Sequence, residues 1–293
     1  MDDYPLAMPK ENSPLLQEFL TCFGISAEPL LAGDPLALIA SIGRAFSRIP
    51  YENLSKILLA TEGMASDRAL RGPSEVFAEY RRRGAGGTCF SLTALLLHVL
   101  RALGLRAEPI LADRHYGADT HCALIVWVAG SPHLLDPGYL ITDPVPLGAE
   151  LLLASAEPIP ERLESITVPT RFNDVVLVPR EEGRRLELHT RQHDSMVHRL
   201  TFKTTPVDPG AFLRAWNASF SWDGMRYPVL SRVHGNRQLY LQGCRFQVRT
   251  RESVRREEIS QDRLVATIQR EFGLDGGLAA AAVKRLRRRG ETS

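Results

Sequence analysis

Cys89, His121 and Asp136 are the residues whose types and order could do chemistry. Cys89 lies in Gly86-Gly87-Thr88-Cys89-Phe90, at the opening of a strongly apolar helical pattern. A thiol there meets the unpaired N–H groups and partial positive charge of a helix start, and both favour thiolate, the nucleophilic form. The two glycines let backbone and substrate approach closely. His121 follows in Asp119-Thr120-His121-Cys122-Ala123-Leu124-Ile125-Val126, and Asp136 in His133-Leu134-Leu135-Asp136-Pro137-Gly138-Tyr139. Cys, His and Asp in that order suit acyl transfer: Cys89 attacks a thioester carbonyl, His121 moves protons, and Asp136 orients the imidazole. Backbone N–H groups around Gly87, Thr88 and Phe90 are the candidate oxyanion and substrate donors.

The elements that position these residues can be read from periodicity. Helices are expected from Pro14 (capped by Ser13), from Asp34 to Phe46, from Ser74 through Tyr80, and from Cys89 to the C-cap Gly104. Beyond Gly104 the period falls to two, and strands are expected at Arg106–Ala112, His121–Val128, Leu134–Tyr139, Asp174–Val178, Arg185–Thr190 and Val197–Lys203. Asp143–Pro160 reads as a loop. A helix at Ala211–Ala218, strands at Gln238–Leu241 and Arg245–Thr250, and a helix from Gln261 to Phe272 complete the pattern. The basic run Lys284–Arg289 reads as a solvated end. The fold class is therefore α+β, in three parts: a helical bundle over 1–104 carrying Cys89, an antiparallel barrel or sheet over 105–205 carrying His121 and Asp136, and an α/β lid over 206–293.

A turn at Gly130-Ser131 joins the His121 and Asp136 strands as a hairpin. Direct opposition of the two residues would need the pairing centred between Val128 and Ala129, and other registers keep both on one face. Glu52 and Asn53, in Tyr51-Glu52-Asn53-Leu54, are expected to support the site by hydrogen-bonding helix ends to the Cys89 loop.

Composition excludes several function classes. The chain has 293 residues, 44% hydrophobic and 24% charged, which is globular, and a net charge of +2 argues for neither nucleic acid nor membrane. The acidic N-terminus lacks a basic-then-apolar leader, and no apolar run reaches the roughly 18 residues of a membrane span. Four cysteines without a CxxC give neither a disulfide framework nor a zinc pattern. A reducing cytoplasm is the expected location. His189, His193, Asp194 and His198 look like a metal cluster, but on one strand His189 and His193 would face away from His198, so no metal is expected.

At the Cys89 segment the chain resembles the arylamine N-acetyltransferases, whose signature is Arg-Gly-Gly-X-Cys-Phe-Glu-X-Asn. Here it reads Ala85-Gly86-Gly87-Thr88-Cys89-Phe90-Ser91-Leu92-Thr93, with Ala85, Ser91 and Thr93 as departures. Ile49-Pro50-Tyr51-Glu52-Asn53-Leu54 is similar to the family's Pro-Phe-Glu-Asn-Leu, and Asp136-Pro137-Gly138-Tyr139-Leu140 to its Asp-Val-Gly-Phe-Gly. The resemblance implies a helical bundle, β-barrel and α/β lid, triad roles for Cys89, His121 and Asp136, and ping-pong transfer to an amine. The implied donor is a coenzyme A thioester, or the phosphopantetheine thioester of an acyl carrier protein, as in relatives with altered surroundings that close amide bonds. Two other readings stay open: a papain- or transglutaminase-like hydrolase using the same triad, and a degenerate, non-catalytic member acting as a binding module.

Overall fold

Ser13 starts the first helix, α1 (Pro14–Phe23). Its hydroxyl accepts from the Leu16 amide at 3.3 Å, Pro14 fills the first turn, and Gly24 ends the helix at φ 66°. Asp34 opens α2 (Pro35–Phe46), accepting from the Ala37 amide at 3.0 Å. In this computed structural model the described residues are 5–27, 33–60, 70–139, 141–147, 164–192 and 195–288. They divide into two compact units, one of Met1–Ala7, Ser47–Leu95 and Trp216–Ser293, the other of Met8–Phe46 and Leu96–Ala215. Each unit thus draws on more than one of the three sequence stretches 1–104, 105–205 and 206–293.

The first unit opens with the two-residue strand β1 (Tyr51–Glu52) and the short helix α3 (Leu54–Leu59), both too brief to leave a periodic signal. Helix α4 (Pro73–Arg83) follows, and the first turns of α5 (Cys89–Ala102) belong here too. After α6 (Pro209–Ala218), β10 (Val229–His234), β11 (Arg237–Gln242), β12 (Arg245–Arg249) and β13 (Val254–Glu258) form an antiparallel sheet in the order β1-β10-β11-β12-β13. The expected helix to Phe272 is a short α7 (Leu264–Thr267) continuing as a π turn over Ile268–Phe272.

The segment expected to be a solvated basic end is instead part of α8 (Gly276–Arg288), which buries Leu278, Ala282, Val283 and Leu286. Small and branched apolar residues at helical spacing outweigh the basic residues interleaved with them. Arg285 donates to the carbonyls of Leu58, at 2.9 Å, and Ala60, so this basic residue closes the end of α3.

The second unit holds β2 (Arg106–Arg114), β3 (Gly117–Val128), β4 (Ser131–Asp136), β5 (Ile141–Pro146), β6 (Ile166–Pro169), β7 (Asp174–Arg180), β8 (Arg185–Gln192) and β9 (Ser195–Lys203). They form one antiparallel sheet, ordered β5-β4-β3-β2-β9-β8-β7-β6. Ile110, Ile125, Leu134, Val145, Leu188 and Phe202 meet in a single apolar core, and Ile166 and Val168 pack against it. Both edge strands, β5 and β6, contribute to that core, so the sheet curls into a nearly closed barrel. Each such side chain withdrawn from water stabilises by about 1.5–3 kcal/mol.

Two sequence expectations change here. Ile141–Pro146, assigned in part to the Asp143–Pro160 loop, is strand β5 because β4 offers it a ladder; the rest of that loop from 148 lies outside the described residues. His189 and His198 are register partners across the β8–β9 hairpin, with ring centroids 5.2 Å apart, rather than on opposite faces. His193 and Asp194 lie outside the described residues. Among the described residues no group of three or more His, Cys, Asp or Glu could hold a metal ion.

Candidate active site

Cys89 is the first residue of α5 and is buried, at 8% exposure. The approach to it is fixed by close backbone packing. The Glu52 amide donates to the Gly87 carbonyl at 2.9 Å, and Tyr51 and Gly87 form a parallel bridge. A Cβ on Gly86 would run into the Pro50 carbonyl, and one on Gly87 into the Ser91 hydroxyl. Glycine is therefore required at both positions on steric grounds. Ser91 Oγ donates back to the Thr88 carbonyl at 3.1 Å, closing the first turn of the helix, and Thr88 is itself buried.

Behind this turn runs a polar relay that sequence reading missed. Glu52, fully buried, accepts from the Ser55 amide at 2.8 Å and from its hydroxyl at 2.5 Å. Ser55 Oγ accepts from Arg71 Nη2 at 3.0 Å, and the same nitrogen donates to the Gly86 carbonyl at 2.9 Å. Burial pulls the Arg71 guanidinium down from its ordinary value, while Glu52 and Glu75 pull the other way. Arg71 thus clamps the turn just ahead of Cys89. The only signal for it was an arginine before the Gly72-Pro73 helix start, which periodicity does not distinguish from a surface residue.

Asn53 points elsewhere. Its Nδ2 donates to the carbonyls of Gly224 at 2.6 Å and Tyr227 at 2.8 Å, and its Oδ1 accepts from the Val229 amide at 2.8 Å. It ties α3 to the segment leading into β10. Lys56, also unanticipated, is buried with Nζ donating to the Ser219 carbonyl at 2.9 Å and to its hydroxyl, 4.4 Å from the Phe220 ring centroid. Phe90 is fully buried, stacked on Trp216 at 6.3 Å and tilted against Trp222 at 6.0 Å, so these two tryptophans pack the residue beside Cys89.

In the second unit, His121 on β3 and Asp136 at the end of β4 form a buried pair, with Nε2 and Oδ2 2.7 Å apart. The hairpin turn is Ala129-Gly130, at φ 49° and 81°, rather than Gly130-Ser131. That primed geometry matches the strand twist and sets Val128 opposite Ser131. Asp136 Oδ1 accepts from the Tyr139 amide at 3.3 Å. Gly138 is needed here, because a Cβ on it would come within 3.0 Å of Asp136 Oδ1. The Tyr139 ring stands edge-on to the imidazole at 5.3 Å, and Phe202 lies 6.3 Å away. Burial pushes the Tyr139 hydroxyl up from its ordinary value, with the Arg114 charge opposing and Asp136 adding to the rise. Arg114 Nη2 lies 3.1 Å from His121 Nδ1. Cys122, next in sequence, is buried in the core, and His98 Nε2 is 3.0 Å from Ser13 Oγ.

The sequence profile of the N-acetyltransferase family matches residues 36–280. Among solved structures, the Nocardia farcinica arylamine N-acetyltransferase matches with TM-score 0.74 at 21% identity, over 98% of this chain and 100% of that one. The Mycobacterium abscessus arylamine N-acetyltransferase matches with TM-score 0.72 at 20% identity, over 93% of this chain and 94% of that one. The Mycobacterium marinum enzyme, solved in complex with CoA, matches with TM-score 0.69 at 19% identity, over 92% and 99%. At these identities the likeness establishes the fold. A search of curated protein sequences finds no match. Among the described residues no helix is long and apolar enough to cross a membrane.

Proposed function

Since the chain belongs to the N-acetyltransferase family, we propose that it is a thiol-dependent acyltransferase working through acyl-Cys89. The observation that carries this reading is the buried His121–Asp136 pair at 2.7 Å, which is what an imidazole needs to act as a base of fixed tautomer. Cys89 Sγ attacks the thioester carbonyl as His121 takes the thiol proton. The tetrahedral intermediate collapses, the carbonyl–sulfur bond of the donor breaks, and the departing thiolate takes the proton from His121. An amine then attacks acyl-Cys89, His121 removes its proton, and the Cys89 sulfur leaves. Backbone N–H groups around Gly87, Thr88 and Phe90 are assigned to the developing oxyanion, and Glu52 and Asn53 to support of the site. In this scheme 1–104 supplies the nucleophile, 105–205 the base and its carboxylate, and 206–293 the lid.

A coenzyme A thioester is the proposed donor, supported by the Mycobacterium marinum relative solved with CoA. The phosphopantetheine arm of an acyl carrier protein bears the same thioester and is the second donor to test. An arylamine is the first acceptor to test, as the names of the solved relatives suggest. A reducing cytoplasm suits the free thiol. Two-substrate kinetics with acetyl-CoA and an arylamine test the scheme. Parallel double-reciprocal lines are expected, whereas CoA release that ignores the amine at every concentration would favour a hydrolase and overturn transfer.

A further inference from the structure

The contact between Arg114 and His121 settles a question of protonation. A guanidinium stays charged and carries five N–H donors and no acceptor, so at 3.1 Å the imidazole Nδ1 must be the acceptor. On the far side of the ring, Asp136 Oδ2 lies 2.7 Å from Nε2, and an ionised carboxylate only accepts, so Nε2 carries the proton. An imidazolium would place N–H against N–H and cation against cation at Nδ1.

The backbone is built to hold Arg114 there. Ala112 is opposite His121 on the β2–β3 ladder, but Arg114 is opposite Gly117, so the register breaks between them. Asp119 takes up the slack in the left-handed region at φ 56°, a conformation Asp tolerates better than most residues. Its amide donates to Asp113 Oδ1 at 2.9 Å, and its carboxylate accepts from Lys203 Nζ at 2.6 Å. The Arg114 amide donates to Thr120 Oγ1 at 3.1 Å, and Nη1 donates to the Tyr116 hydroxyl at 3.1 Å. The guanidinium also lies 5.3 Å from the Tyr139 ring centroid.

The groups around the imidazole come from each neighbouring strand. Arg114 is supplied by β2, Asp136 by β4, Tyr139 by the turn after β4, and the apolar Phe202 by β9. The charges of Asp113, Asp119, Arg185 and Lys203 are tied up in their own ion cluster. Arg199 on β9 donates to Thr190 Oγ1 at 2.7 Å.

We propose that Arg114 is a positioning residue that fixes His121 as the Nε2–H tautomer and keeps the resting ring neutral. Its meaning for catalysis rests on the role of His121 given above. The Nδ1 lone pair is then the site that receives a thiol proton: the S–H bond breaks, an N–H bond forms at Nδ1, and Arg114 withdraws from the new cation. Arg114 acts as a latch that holds the base unprotonated until that transfer.

The test is ¹⁵N NMR of the histidine rings in the full chain without substrate, with His121 assigned from a His121→Gln spectrum. It reads the ring rather than turnover, so its failure is distinct from a failure to acylate. In the wild type at neutral pH, a protonated Nε2 and a bare Nδ1 are expected. A proton on Nδ1 under those conditions overturns the proposal whatever the variants do. Arg114→Gln should raise the proton affinity of His121 on the order of tenfold, because a like charge within contact distance has gone. Arg114→Lys, which keeps a cation, should restore most of the wild-type titration. An Arg114→Gln protein that folds and titrates like the wild type would overturn the proposal as well.

Discussion

His121 and Asp136 meet diagonally, not face to face. The β3–β4 ladder pairs Leu124 with Leu135, which sets Asp136 beyond that pair and two steps short of His121's own opposite position. Their side chains still close to 2.7 Å, because diagonal neighbours on one face of a twisted antiparallel pair lie within reach of an imidazole. The two-residue turn at Ala129-Gly130 fixes this offset. A one-residue slip would put the two groups on opposite faces.

Asp136→Asn should therefore leave the fold in place and remove the charge that holds the imidazole. A loss of about 10³–10⁴-fold in acyl transfer is expected, with circular dichroism unchanged. A variant within a few-fold of wild type would mean that His121 needs no carboxylate partner.

Arg71 is held by the buried Ser55 hydroxyl and the Gly86 carbonyl, with Glu52 behind. Arg71→Ala would leave a buried carboxylate without its cation and should destabilise by about 3–5 kcal/mol in chemical denaturation. Arg71→Lys should recover part of this, since it keeps the charge without the planar fork. Cys89 alkylation in whatever fraction folds should slow, because the turn ahead of it has lost its clamp.

Asn53→Ala removes three hydrogen bonds that join α3 to the segment ahead of β10. The expected loss is about 2–4 kcal/mol, accompanied by faster amide exchange at Val229. Unchanged exchange there would show that the sheet, not Asn53, fixes that segment.

Asp113 gives stability a dependence on pH. Burial alone would raise its carboxyl, but the Asp119 amide, Arg185 and Lys203 outweigh that and leave it below the ordinary value. A lowered folded value means the contribution is present at neutral pH and is lost as pH falls below the ordinary carboxyl range near 4. Thermal unfolding from pH 6 to pH 3 should show a shallower acid decline in Asp113→Asn than in the wild type.

Much of the site was legible because each part left a local pattern. Gly-Gly before Cys89, the alternation through His121 and the Asp-Pro-Gly turn after Asp136 are short-range signals of helix start, strand and turn. The hairpin register was open because Gly130-Ser131 and Ala129-Gly130 both read as turns, and only the φ values separate them. Arg71, Lys56 and Arg114 were invisible for a different reason. Each is a cation whose partner lies elsewhere in the chain or across a bulge, and no periodicity marks such a side chain as buried. The same limit hid α8, where a basic run masked an apolar helix face.

Intact-protein mass measurement tests the central claim most directly. The wild type, Cys89→Ser and Cys89→Ala would be incubated with a panel of acyl-CoA and acyl-pantetheine thioesters and no amine. The expected result is a single acyl adduct on the wild type, absent from both variants, that discharges when an amine is added. Equal acylation of the wild type and Cys89→Ala, or no adduct from any donor, would contradict an acyl-Cys89 intermediate.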